Sequence, residues 1–146
     1  MAIGSRYFVI DRVGASHARI AAYSSLFITL VLLVIPGSVI DWFRLWAYQW
    51  WPWASSSLAL SAISNDKFIH AAMFAVCGAL VAKGWVGQLA RWRWMFLILI
   101  GYGMLTEFLQ LFVPGRVASV GDLFADFGGA GVGIFWAYQY FKSNSE

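Results

Sequence analysis

The chain has 146 residues, 61% of them apolar and only 12% charged, against roughly 45–50% and about 25% in a soluble globular protein. That length holds one domain, 1–146, and a mean hydropathy of +0.70 excludes a soluble domain or a disordered tail. The net charge of +3 does not call for nucleic acid, because Lys and Arg in so apolar a chain hold cytoplasmic loops in place.

Residues 1–19, with Arg6, Asp11, Arg12, His17 and Arg19, are too polar to span a bilayer. They do not read as a cleaved signal peptide, since the apolar run that follows is too long and no small-x-small site closes it. Four spans are predicted, at about 20–40, 68–85, 92–113 and 120–141, each near the ~20 residues a bilayer requires. Pro36-Gly37 loosens the end of the first and Pro114-Gly115 closes the third. Between the first two lies 41–65, which opens DWFRLWAYQWWPW and holds five of the nine tryptophans. Indole rings prefer the headgroup layer, so this stretch is expected on the outer leaflet surface, with a short helix before Pro52. The fold class is therefore all-α, a four-helix transmembrane bundle with an interfacial Trp-rich segment. Cys77, the one cysteine, excludes an internal disulfide.

Orientation follows from the basic residues. Arg6, Arg12, Arg19, Lys83, Arg91, Arg93 and Lys142 fall on one side, seven of the ten. Arg44, Lys67 and Arg116 fall on the other. The richer side is cytoplasmic, so both termini are expected to face in.

The remaining charge gathers at the outer ends of three spans. Asp66, Lys67 and His70 open the second, with Asp66 and His70 on one face. The third holds Glu107 and Gln110, with Glu107 roughly 9 Å inside the helix end. Arg116 and Ser119 occupy the loop before the fourth, which carries Asp122 and Asp126 one turn apart. A carboxylate at membrane depth costs about 2.5–3.5 kcal/mol on insertion scales. A shared polar pocket is inferred, opening outward. Asp66, Glu107, Asp122 and Asp126 face Lys67 and Arg116 there, and Arg44 with a protonated His70 would complete a neutral, self-paired network. Arg116 is expected to pair with Glu107, Asp122 or Asp126, and Asp126 to hydrogen-bond Gln110 or Glu107. Gly129 and Gly133 continue the Asp122/Asp126 face and read as a close helix contact. No Cys/His cluster, metal-ligand spacing or phosphate loop appears, so neither a metal nor a cofactor is predicted.

Asp66-Lys67-x-x-His70-x-x-x-Phe74 resembles the first signature of the VanZ-like bacterial membrane proteins. Glu107-x-x-Gln110, Pro114-Gly115-Arg116-x-x-Ser119-x-x-Asp122 and the glycines Gly129 and Gly133 resemble the second. The match covers about 65–133. One departure is Asp126, where the family usually carries asparagine. The resemblance implies a polytopic bacterial membrane protein and a link to glycopeptide resistance, the namesake being tied to low-level teicoplanin resistance. It implies no defined reaction.

Three functions compete. In the first, a cell-envelope protein binds or modifies an anionic lipid-linked or glycan group. Lys67 and Arg116 would grip the anion, His70 oriented by Asp66 would act as a base, and Glu107 would carry a proton. No activated nucleophile is evident, which argues against an enzyme. In the second, the chain is an accessory subunit of a larger membrane complex. Its aromatic side chains, 18% of residues, would contact lipids, pigments or neighbouring helices. In that setting His70 would ligate a metal-centred cofactor or be a satisfied polar residue. A transporter ranks last, because the polar cluster lies toward one face and no inverted repeat is visible. The expected partners are membrane lipids and other membrane subunits, not nucleic acid.

Overall fold

The computed structural model describes residues 4–50, 55–85 and 91–143. Among them the chain is entirely helical, with α1 Gly4–Val34, α2 Gly37–Trp50, α3 Ser55–Gly84, α4 Trp92–Gln110 and α5 Val120–Ser143. The elements match the expected all-α class, with α2 as the short helix before Pro52, but the first boundary differs. The difference arises at Pro36, which ends α1 six residues short of the expected boundary at 40. Proline disfavours a helical residue before it, while its carbonyl accepts from Val39 and Ile40 to start α2. The Trp-rich stretch is helical through Trp50, and Pro52 lies outside the described residues.

The second correction concerns α3, which begins at Ser55 and not at 68. Residues 55–65 are too polar to register as part of a span, yet contain no proline or glycine to stop a helix from running back through them. α4 stops at Gln110, three residues before the expected end, and 3₁₀-type bonds tighten the chain after it. Glu107 therefore lies in the last turn of α4, nearer its end than expected.

Two stretches, Ser16–Val34 and Asp66–Gly84, are long and apolar enough to cross a membrane. α4 and α5, of 19 and 24 residues, are about 28 and 36 Å long. Polar groups interrupt both, Arg93, Glu107 and Gln110 in one and Asp122 and Asp126 in the other. The outer surface is apolar: Phe27, Leu45, Ile98, Phe124, Phe135 and Trp136 are all more than half exposed. A contiguous surface of that kind is not one that water tolerates.

A narrow apolar core of Leu33, Phe74, Cys77, Met95, Leu99, Ala130 and Ile134 runs through the bundle. α3 packs most closely on α5. At Gly129 and Gly133 the carbonyls of Ala71 and Ala75 occupy the space that a Cβ would need, and at Gly78 the carbonyl of Ala130 does the same. α1 lies against α3 and α4. Tyr102 donates to the Leu26 carbonyl, and Gln110 Nε2 donates to the Leu33 carbonyl at 3.0 Å. The second bond satisfies a carbonyl in the last turn of α1 that has no partner within its own helix.

Candidate functional site

The loop from α4 to α5 is built first by local chemistry. Val113-Pro114-Gly115-Arg116 closes with Arg116 N–H donating to the Val113 carbonyl at 3.1 Å. Proline precedes Gly115 at φ +74°, the pattern of a type II turn, whose third residue must tolerate positive φ. The same turn abuts the start of α2: Gly37 N–H donates to the Pro114 carbonyl at 3.1 Å, and the two glycine backbones touch.

Ser119 then opens α5. Its carbonyl accepts from Asp122 and Leu123, and its Oγ accepts from Gly121 N–H at 3.1 Å. This is an N-cap, a helical role for a residue first read as lining a pocket. Its own N–H donates to Glu107 Oε2 at 2.7 Å, so a carboxylate of α4 anchors the first turn of α5. Asp122, in that first turn, is also favourably placed against the helix dipole.

Two polar rungs then cross from α3 to α5. Lys67 Nζ reaches Asp122 Oδ1 at 2.8 Å. One turn deeper His70 Nδ1 and Asp126 Oδ1 share a hydrogen bond of 2.9 Å. Gly121 leaves the room that the Lys67 ammonium fills, and Gly103 of α4 leaves room for the Asp126 carboxylate. Lys67 keeps a side chain 45% exposed while Asp122 is buried. His70 and Asp126 are both at 0%. Glu107 Oε1 stands 3.9 Å from His70 Nδ1.

Three expected pairings are corrected here. Asp122 is taken by Lys67 and Glu107 by the Ser119 N–H, so Arg116 pairs with neither. Among the described residues the Arg116 side chain makes no hydrogen bond or ion pair. The Pro-Gly turn carries it to the rim of the cluster. Asp126 bonds His70, not Gln110 or Glu107, because Gln110 is turned toward α1. His70 in turn is oriented by Asp126 and not by Asp66. The side chain of Arg44 lies outside the described residues.

At the rim lies a cavity of about 500 Å³, lined by Asp41, Asp66, Lys67, Arg116, Ser119 and Asp122 together with backbone at Gly37 and Gly115. His70, Glu107, Gln110 and Asp126 are not on its wall. The predicted cluster therefore divides into an accessible upper layer and a buried lower one. In the lower layer His70 Nε2, Glu107 Oε1 and Asp126 Oδ2 are buried without a hydrogen-bond partner. Metal-ligating atoms of His70, Glu107 and Asp126 lie within 4.8 Å of one another, and so do those of Asp66, His70 and Asp122. The absence of local ligand spacing concealed both groupings, because each draws its members from more than one helix.

At the opposite end of the bundle a second cavity, about 540 Å³, is lined by Tyr23, Leu26, Trp85, Arg91, Trp94 and Ile98 among others. Arg19 closes α3 there, donating to the Gly84 carbonyl at 2.8 Å and lying over the Trp85 ring.

No curated protein and no solved structure matches the chain. A family model described as VanZ/LLP1 does match, over residues 9–142. That match takes in both polar rungs, the turn and the glycine contacts, and by it the chain belongs to the VanZ/LLP1 family.

Proposed function

We propose that the chain is a four-span cell-envelope membrane protein that binds an anionic lipid-linked or glycan group in the outward-facing cavity at the α4–α5 turn. The observation that carries this reading is Arg116. Arg116 lines the cavity, its side chain without a hydrogen bond or ion pair among the described residues, beside a half-exposed Lys67. A cation that makes no ion pair among the described residues, next to a Lys67 whose ion pair is with Asp122, offers donors to an incoming phosphate or carboxylate, which would compete with the Asp41 and Asp66 carboxylates of the same wall. α4 and α5 would complete the four spans, since Glu107, Gln110, Asp122 and Asp126 are buried in the bundle and Arg93 lies at the start of α4.

Two experiments test it. The first is binding of a polyprenyl phosphate to the protein in neutral-lipid nanodiscs, with the uncharged polyprenol as control. Arg116→Ala should weaken binding roughly tenfold, the worth of a lost charged hydrogen bond, and should move the melting temperature little. Equal binding of phosphate and alcohol would overturn the reading. The second is topology. Reporters fused at Ser16 and at Glu146 should both report cytoplasm, and opposite reports would mean an odd number of spans.

The accessory-subunit reading draws on a different observation, the aromatic outer surface and the cavity lined by Tyr23, Trp85 and Trp94. A neighbouring helix or pigment would pack there. Purification in mild detergent separates the two readings, because an accessory subunit brings stoichiometric partners with it.

A further inference from the structure

Below the Lys67–Asp122 pair, three side chains of metal-ligating chemistry converge from three helices. His70 comes from α3, Glu107 from α4 and Asp126 from α5. We propose that these three residues form a binding site for one divalent transition-metal ion of the Zn²⁺ or Mn²⁺ class. This inference is independent of the anion reading, which rests on Arg116 and the cavity above.

Geometry supports it first. His70 and Asp126 are fully buried and Glu107 is 8% exposed. Ligands at about 2.0–2.2 Å from a common ion lie roughly 2.8–3.6 Å apart at right or tetrahedral angles. His70 Nδ1 stands 2.9 Å from Asp126 Oδ1 and 3.9 Å from Glu107 Oε1. The first separation is already that of two ligands on one ion, and the second closes to it with a shift of about half an ångström. The ion replaces the proton that His70 Nδ1 shares with Asp126, leaving the ring hydrogen on Nε2.

Charge is the second support. The titratable and charged groups around the trio are Asp66 and Lys67 on α3, Tyr102 on α4 and Asp122 on α5. Lys67 is engaged by Asp122, so within the trio only His70 can offset two carboxylates. A divalent ion with a neutral imidazole balances both. It also gives Glu107 Oε1, otherwise buried without a partner, something to bind. The other Glu107 oxygen is held by Ser119 N–H, the outer support that orients a ligating carboxylate. The alternative grouping of Asp66, His70 and Asp122 is weaker, because an ammonium already occupies Asp122.

Imidazole with two carboxylates suits first-row divalent ions and not the thiolate-seeking ones. Three protein ligands leave a coordination position for water or a further group.

The test uses tag-free, full-length protein in detergent, from cells grown with Zn²⁺ or Mn²⁺. Elemental analysis should find about one ion per chain. After EDTA treatment, titration with Zn²⁺ or Mn²⁺ should raise the melting temperature and release a proton. Glu107→Gln and Asp126→Asn should each lower metal affinity by about tenfold or more, while Arg116→Ala keeps it. Size-exclusion chromatography checks that each variant is folded, and if one is not, the other decides. Protein that retains neither ion and shows no shift on titration would overturn the site. So would retention that is unchanged in a folded Glu107→Gln or Asp126→Asn variant.

Discussion

Gly133→Ala is expected to be among the most damaging single changes in the chain, and Gly128→Ala among the mildest. Both replace glycine by alanine within α5, where alanine is the better helix former by up to ~1 kcal/mol. At Gly128 nothing lies within 4 Å of the added Cβ, so that preference stands alone and the variant is unchanged or slightly more stable. At Gly133 the Cβ meets the Ala75 carbonyl group and the Ala79 nitrogen. These are backbone atoms in the middle of α3 and cannot swing aside as a side chain would. The helices must separate along the contact, at a cost at or above the upper end of the ~1–3 kcal/mol typical of overpacking. Gly129→Ala meets the Ala71 carbonyl in the same way. Melting temperatures of the three variants in one detergent check the contrast. A Gly133→Ala protein as stable as Gly128→Ala would mean that α3 and α5 do not approach as described.

The second large effect falls on Asp126. Asp126→Ala leaves the fully buried His70 with no partner on Nδ1, and breaking a buried pair from one side costs about 3–5 kcal/mol. Asp126→Asn keeps the size and an amide oxygen that accepts from Nδ1, so it should cost well under half as much. The comparison belongs on EDTA-treated protein, so that loss of a metal ligand does not contribute. Thermal unfolding of both variants decides the matter. Equal, large losses would show that the charge of Asp126, and not its hydrogen bond, holds His70.

Much of this site can be read in the sequence where the information is local. Pro114-Gly115 dictates its turn through one fixed φ and one positive φ. Asp122, Asp126, Gly129 and Gly133 declare a common face by their spacing alone. What spacing leaves open is how one helix is rotated against another. His70 and Asp126 are 56 residues apart, and nothing in either neighbourhood says that they meet. Arg116 was the natural partner for the carboxylates because it adjoins them in sequence, but the turn holds it at the rim and Lys67 arrives from across the bundle. The start of α3 was hidden for another reason. The run 55–65 lacks the apolar density of a span, while helix formation depends only on having no breaker and a stable segment to extend from.

The crossing from α3 to α5 also imposes an order on synthesis. Lys67 and His70 find their partners 55 and 56 residues later in the chain, after α4 has been made. Until α5 emerges from the ribosome, Lys67 and His70 lack the Asp122 and Asp126 carboxylates that bind them in the folded chain. A chain that ends before α5 keeps α3 without the partners of its two cation-forming side chains, so the α3–α5 contact forms only after the whole of 55–143 has been made.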